Sequence, residues 1–409
     1  MDSTWHRTWP ETAELHICDP EGDILFILER YQVDDSEERG PPEAAPLSEG
    51  ILDWPAHEPD PVQYDSQVET AESEVDGLTK PEIPACGFLA KRELIPRVEK
   101  VQLRASSKHL ILASSTFRSS LSSDTYLEGR ALRNEGNLVI PLPGDDPDSM
   151  IILLNVIHGL SSKVPRRVDL NMLSKLAVAV NHRHIHEAVG ICPDTWIENL
   201  KRDDGFPSSY RPEILTWLFI LWVFRKDEDF RNISQILERE SDYSLKTELE
   251  TVCIGPYIPA SIIRNIQENR INAIESMIAV IYDLITKYSG PNILCTGNEY
   301  SCDATLLGSL LKASAIIGIW PRPKDPYPGI NAKMLAGHIR GMQVLDDCER
   351  FGRGYYQSSN GSHGIKVLIE ASMKSLEAGK IPGLQLASFL PKAKKTFRKC
   401  SKIKNGSAE

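Results

Sequence analysis

The chain has 409 residues, 41% of them hydrophobic and 25% charged, with a formal net charge of −11 at pH 7. This length allows two or three domains with buried cores and indicates a soluble globular protein. The longest apolar run, residues 215–224, has about half of the ~20 residues that cross a bilayer and predicts a core helix. Residues 1–6 lack a secretory signal pattern. We therefore expect no membrane contact, no secretion, and a cytoplasmic or nuclear location.

Charge is unevenly distributed along the chain. Residues 1–86 contain 22 acidic and 4 basic side chains, whereas the remainder contains 35 acidic and 42 basic ones. The eight cysteines are scattered, which is typical of reduced and mostly buried thiols rather than of a disulfide framework. The average charge therefore says little about possible partners.

The first ordered segment is expected after a tail of residues 1–14. Residues 15–28 predict the start of a β-hairpin, with the turn at 19–22 and a strand at 24–28. Residues 33–86 are rich in Pro, Glu, Asp and Ser, and such a composition buries too little apolar surface to order the chain. We interpret 33–86 as an acidic disordered insertion.

A strand-to-helix unit follows the insertion. Residues 98–104 predict a strand that pairs with residues 24–28, since closing a long loop costs little free energy. Residues 106–117 predict one short helix without catalytic residue types placed for chemistry, which favours binding over reaction. We expect the core of this unit to consist of six residues: Leu103, Ala105, Leu110, Leu112, Ala113 and Phe117.

Further elements complete the first half. Residues 119–135 are polar and loop-like with some helix, and a short strand is predicted at 138–142. The Asp-rich turn at 145–148 caps a helix through about 157. Two more helices are predicted, at 170–180 and at 185–200, the latter interrupted by Cys192 and Pro193.

This order of elements resembles the BTB/POZ domain, in the divergent type of filamentous-fungal proteins. The resemblance rests on the Gly22-Asp23 hairpin, residues 101–117, the strand before Asp145-Asp146-Pro147, the helix end at 157–159 and Trp196. It covers residues 15–202 without the insertion. It implies an α+β fold in which a small sheet is covered by helices.

The second half predicts a mainly α-helical C-terminal domain at residues 203–390. Helices are expected at 212–225, 227–240 and 259–288, and shorter ones at 304–317, 331–345 and 364–378. A stripe of isoleucines marks the long helix: Ile262, Ile266, Ile274, Ile278, Ile281 and Ile285. Residues 391–409 form a basic tail that we expect to be disordered.

The resemblance also implies a site for a protein partner. BTB domains that bind a cullin-type ubiquitin-ligase scaffold use a hydrophobic-x-acidic motif before the strand that corresponds to 138–142. Tyr126, Leu127 and Glu128 fit this pattern, although a neutral loop is the alternative. We add His158 to the expected partner-binding residues. The short segment before residue 15 puts homodimer formation in doubt.

Two groups of residues have the chemistry of metal ligands. His182, His184 and His186 are either a partner-facing surface cluster or a metal site. Cys295 and Cys302, with Cys348 and His363 further on, are either structural thiols or four zinc ligands, and the spacing of the first two is wider than in zinc knuckles.

Enzyme motifs are absent from the sequence. It contains neither a G-x-S-x-G nucleophile elbow nor a phosphate-binding G-x-x-x-x-G-K-[ST] loop. Acidic pairs such as Asp145-Asp146 and Asp346-Asp347 are explained by helix ends and turns. We therefore assign no catalytic, cofactor or metal site and expect no cofactor.

The sequence thus favours a non-catalytic protein-protein interaction adaptor, with a cullin scaffold as the candidate partner. A nuclear transcription regulator, which recruits partners through the BTB domain and contacts nucleic acid with its tail, is the first alternative. No DNA-reading element supports specific nucleic-acid recognition. An unrecognised enzyme or metal-binding protein in the helical half is the second alternative.

Overall fold

The computed structural model describes residues 14–32, 97–242, 245, 248–249, 257–295, 298–345 and 363–390. The chain divides into a large unit, residues 1–29 and 100–409, and a small unit, residues 30–99. Of the small unit, only residues 30–32 and 97–99 are described, and within it Arg30 forms an ion pair with Glu99 at 3.6 Å. The predicted acidic insertion, the basic tail and the first thirteen residues lie outside the described residues.

In the part of the chain that the structure describes, four strands form a mixed sheet in the order β1-β3-β2-β4. Strand β1 is parallel to β3, and β2 is parallel to β4, where Phe26 pairs with Ile140. The predicted pairing of residues 24–28 with 98–104 is confirmed, because β2 and β3 are neighbours. The strand bounds are Glu14–Ile17 (β1), Ile24–Gln32 (β2), Arg97–Ala105 (β3) and Leu138–Pro141 (β4).

The predicted hairpin is wrong in its topology. A turn does form at the expected place, where the Gly22 amide donates to the carbonyl of Asp19 at 3.0 Å. However, the two strands that this turn connects are not neighbours, because β3 lies between them. Gly22 fits there since a Cβ would lie 2.6 Å from the carbonyl oxygen of Ala105 at the end of β3.

Seven helices accompany the sheet in the first half of the described chain. A short 3-10 helix, Ser161–Lys163, follows the fourth of them. Their bounds are Ser107–Ala113 (α1), Ser115–Ser122 (α2), Leu127–Glu135 (α3), Pro147–Ile157 (α4), Leu170–Arg183 (α5), His186–Val189 (α6) and Cys192–Asp203 (α7).

The predicted single helix over residues 106–117 is two helices, α1 and α2, separated by Ser114. Ser114 has extended backbone angles, and its hydroxyl accepts a hydrogen bond from the Phe117 amide, which caps α2. The same hydroxyl donates to the carbonyl of Arg183 at the end of α5. The break is therefore stabilised by a residue far away in the sequence.

The expected core of this unit needs one correction. Leu103, Ala105, Leu110 and Phe117 are buried and Ala113 is half-buried, but Leu112 is 77% exposed. Since an α-helix has 3.6 residues per turn, Leu112 points about 200° away from Leu110, whose side of α1 packs on the core. Leu112 is thus a surface residue.

The described residues after 203 form helices. Helix α9 has the predicted bounds, and α10 begins one residue after its predicted start. The bounds are Ile214–Val223 (α8), Asp227–Glu240 (α9), Ala260–Tyr288 (α10), Tyr300–Ile316 (α11), Ala332–Arg340 (α12) and Ile365–Lys380 (α13), followed by a 3-10 helix, Leu386–Phe389.

Two clusters of buried apolar side chains hold the large unit together. The first contains buried residues of the sheet, of α1 and α2 and of helices α4 to α9, and it extends to Ile262 and Ile266 of α10. The second contains Ile274 and Ile278 of α10 together with residues of α11, α12 and α13. Helix α10 therefore belongs to both cores. The domain boundary predicted after residue 202 stays a prediction, and the first core is continuous across that position.

Hydropathy sets a further limit on the described part of the chain. None of its helices is both long enough and apolar enough to cross a membrane.

Candidate functional site

The predicted motif at 126–128 lies at the start of helix α3 rather than in a loop. Tyr126 is the residue before the first turn, and Leu127 and Glu128 begin the helix. A carboxylate in the first turn is favourable because helix N-termini carry a partial positive charge. Gly136, with φ of 72°, ends the helix eight residues later.

The two apolar side chains of this motif are open to solvent. Leu127 is 72% exposed and Tyr126 49% exposed, while Glu128 is half-buried. Single exposed apolar residues are common, but two adjacent large ones beside a carboxylate present both apolar contact area and a charge. This surface, residues 126–128, is called the α3 surface below.

Contacts beneath the α3 surface determine its position. Gly129 is buried against the preceding loop, and a Cβ there would lie 2.4 Å from the carbonyl oxygen of Ser123. Arg133 donates to the carbonyl of Ser122 at 3.2 Å and forms an ion pair with Asp124. The α3 surface is therefore attached firmly to the end of α2.

His158 occupies a structural position at the end of α4. Its Nε2 accepts a hydrogen bond from the Ser106 amide at 2.9 Å, and its Nδ1 lies 2.8 Å from the carbonyl of Leu154. Both ring nitrogens are thus engaged within the chain. Burial lowers the pKa of His158, His109 lowers it further, and the Leu154 carbonyl and Asp19 oppose the shift. The ring also meets that of His109 edge to face at 4.8 Å.

A cleft of about 1140 Å³ lies between the segment from α5 to α7 and the segment that connects α8 to α9. One wall comes from the end of α5, α6 and the start of α7, and the other from the end of α8 and residues 388–390. The cleft is lined by buried apolar side chains, Val223 and Phe224 among them, and by the exposed charged side chains of Glu187, Asp194 and Arg225, which are called its rim below. Side chains that line it include His184, His186, Glu187, Asp194, Trp222, Phe224, Arg225, Lys226, Phe389 and Leu390.

The predicted histidine cluster contributes to this cleft but does not form a metal site. Helix α5 ends at Arg183 and His184 has φ of 52°, so His182 and His186 do not share one helical face. Among the described residues, the histidines are not part of any group whose ligand atoms converge. His184 and His186 line the cleft instead.

Electrostatics in the cleft favour a neutral histidine beside cations. Burial lowers the pKa of His186 below its ordinary value, and the charges of Arg225 and His184 lower it further. Burial also lowers the pKa of Lys226, although Asp229 opposes this shift. Lys226 forms an ion pair with Asp194 across the rim. His186 is therefore a neutral donor and acceptor at pH 7.

Other predicted groups have structural partners or lie elsewhere. Asp146 caps α4 by accepting from the Ser149 amide and pairs with Lys175, and Asp145 pairs with Arg183. Cys295, Cys302 and His363 lie close together, whereas Cys348 and the pair Asp346-Asp347 lie outside the described residues.

Sequence reasoning missed most of the cleft. Arg225 and Lys226 follow a core helix, and Ser388 to Leu390 lie more than 160 residues further along the chain. Nothing in the local sequence pattern connects these segments, so only the tertiary structure brings them together. The histidine triplet is the one signal that indicated this region.

Comparisons with known proteins add no relative: no family model, no curated protein and no solved structure matches this chain.

Proposed function

We propose that this protein is a non-catalytic adaptor that binds a protein partner through the α3 surface. The observation that carries the proposal is the pair of adjacent, exposed apolar side chains, Tyr126 and Leu127, next to Glu128 on a firmly held helix start. Buried aromatic anchors supply much of the energy of protein interfaces, and a neighbouring carboxylate adds orientation.

A cullin-type scaffold is the proposed partner. This choice follows from the resemblance of residues 15–202 to the BTB/POZ domain and from the hydrophobic-x-acidic order of residues 126–128. The choice of a cullin scaffold rests on an analogy between folds, and substitution of residues 126–128 tests it.

An adaptor needs a second surface for the protein that it delivers, and we propose the cleft for this role. Its volume exceeds the roughly 300–1,000 Å³ of ordinary small-molecule sites. Its buried apolar side chains and its rim of both charges suit a polypeptide segment, which offers apolar side chains together with a polar backbone. The cleft shares no lining residue with the α3 surface.

Binding of a purified cullin scaffold to the immobilised full chain tests the proposal. Replacing both Tyr126 and Glu128 by Ala should weaken binding at least tenfold, since loss of an interface anchor costs on the order of 1.4 kcal/mol or more. Val367→Ala is the matched control, because Val367 is 74% exposed on α13.

The two results that contradict the proposal are clear. Wild-type protein that fails to bind any scaffold removes the scaffold as partner. Unchanged binding by the double variant, with wild-type circular dichroism, removes the α3 surface as the contact.

A further inference from the structure

Three side chains with the chemistry of zinc ligands converge at one end of the second core. Cys295 lies in the loop after α10, Cys302 in the first turn of α11, and His363 two residues before α13. Their ligand atoms all lie within 4.8 Å of one another. Within the described residues, no other three His, Cys, Asp or Glu side chains form such a group.

The distances in this group suit a tetrahedral ion. The Sγ atom of Cys302 lies 3.2 Å from Nε2 of His363. With zinc–sulfur bonds of about 2.3 Å and zinc–nitrogen bonds of about 2.0–2.1 Å, tetrahedral geometry separates sulfur from nitrogen by roughly 3.5 Å and two sulfurs by roughly 3.8 Å. The two separations that involve Sγ of Cys295 are at most 4.8 Å, so shifts of roughly 1 Å or less bring the three atoms to these values.

The ring of His363 is held from its far side by Tyr288. The Tyr288 hydroxyl lies 3.0 Å from Nδ1 of His363, and the two rings meet edge to face at 5.6 Å. When Nδ1 carries the proton and donates to the Tyr288 oxygen, the lone pair of Nε2 is directed to the side of Cys302. Histidines that bind metal characteristically donate their other ring N–H in this way.

The backbone around the cysteines is tied together by the residues next to them. The amide of Leu294, which precedes Cys295, donates to Oδ2 of Asp303, which follows Cys302, at 2.6 Å. The carbonyl of Cys295 accepts from the Asn298 amide at 2.8 Å. These two hydrogen bonds therefore tie together the backbone next to the two cysteines.

We infer that Cys295, Cys302 and His363 bind a zinc ion, with Tyr288 as the positioning residue for His363. Two thiolates and one imidazole are a soft sulfur and nitrogen ligand set, which zinc prefers, whereas magnesium and calcium prefer oxygen. The ion would join the end of α10 to the starts of α11 and α13 and so stabilise the second core.

A nucleophilic Cys–His pair is the competing interpretation of the 3.2 Å contact. Cys302 is only 2% exposed, so a substrate could not reach its thiol, and a nucleophile has no need of the second thiol of Cys295. The convergence of all three side chains therefore favours a metal ion.

Metal analysis of the full chain, purified without added metal, tests the inference. We expect about one zinc per chain in the wild type, with these three side chains as its protein ligands. The Cys302→Ser variant should lose the zinc, and Cys192→Ser, which changes a half-buried cysteine on α7, should keep it. Wild-type protein stripped by a chelator and titrated with Co²⁺ should develop the charge-transfer absorption of a thiolate-bound ion.

A milder variant covers the case in which Cys302→Ser fails to fold. Tyr288→Phe removes only the hydroxyl and should lower the affinity for Zn²⁺ roughly 10- to 100-fold in competition with a chromophoric chelator. Unchanged affinity would contradict the positioning role of Tyr288. Absence of zinc together with no Co²⁺ absorption in the wild type, or a Cys295–Cys302 disulfide in the native protein, would overturn the site.

Discussion

His158 shows how a residue expected at a binding surface is used inside the fold. The imidazole accepts from the Ser106 amide before α1 and lies against the Leu154 carbonyl of α4. It thereby joins the start of one helix to the end of another. Protonation of Nε2 would remove its acceptor, which is consistent with the lowered pKa that burial causes.

This geometry predicts a loss of stability in mild acid. Because the pKa of His158 is lower in the folded chain than its ordinary value of 6.5, the unfolded chain binds the proton first. The stability that the neutral ring contributes is therefore present above pH 6.5 and is lost as the pH falls toward the folded pKa. His158→Gln should be less stable at neutral pH and should lose less stability on acidification, measured by urea unfolding at several pH values. If the free energy of unfolding of the wild type and of His158→Gln fell equally on acidification, this role of His158 would be contradicted.

Residue-level predictions from the sequence were right where a single pattern decides the outcome. Leu103 and Ala105, which were predicted as core residues, alternate along β3 and are buried. The prediction of Leu112 as a core residue was wrong, because it lies about 200° around α1 from the buried Leu110. The prediction of one helix over 106–117 was wrong because of Ser114. A hydroxyl that caps one helix and bonds to another cannot be recognised without the fold.

At the scale of elements, helix α3 depends on a glycine inside its first turn. Alanine is ordinarily the better helix former, but at Gly129 a Cβ would lie 2.4 Å from the Ser123 carbonyl and 2.9 Å from that of Ser120. The backbone of α3 can approach the end of α2 closely only because this position lacks a side chain.

Gly129→Ala should therefore displace the start of α3 and destabilise the chain by about 1–3 kcal/mol, as overpacked sites do. We also expect weaker scaffold binding, since the α3 surface moves with this turn. Gly308→Ala on α11 is the matched control, because nothing lies within 4 Å of its added Cβ. The unfolding temperature is the measurement. If Gly129→Ala leaves it unchanged, or if both variants lower it equally, the close approach of α3 to α2 at Gly129 does not require a glycine.

Element boundaries were predictable where apolar periodicity and a clear start coincide. Helix α9 and the isoleucine stripe of α10 were found this way. The topology of the sheet was not predictable, because β1 pairs with β3 across more than 80 residues of sequence. Neither the turn at 19–22 nor the composition of the strands distinguishes that arrangement from a hairpin.

At the scale of the whole molecule, a buried arginine connects the two cores along α10. Arg270 lies between Ile266 of the first core and Ala273 of the second and is fully buried. Its guanidinium donates to the carbonyl of Ser241 after α9 at 3.0 Å. It also donates to three carbonyls before α12: Pro326 at 2.9 Å, Tyr327 at 2.6 Å and Ile330 at 2.6 Å.

Removing the guanidinium of Arg270 should destabilise both cores together. Arg270→Met keeps much of the side-chain length but leaves four carbonyls without their donor, and we expect a loss of about 3–5 kcal/mol in the free energy of unfolding. Arg264→Met changes an exposed arginine of the same helix and should have little effect. Equal stability of the two variants in guanidinium unfolding would show that Arg270 does not join the cores.

Hydrogen–deuterium exchange of the full chain tests most directly whether another protein binds the α3 surface. In the presence of a cullin scaffold, we predict slower exchange in peptides that contain the amides of residues 127–131, with no change at α13. A complex that forms while exchange at the start of α3 stays the same would contradict the claim.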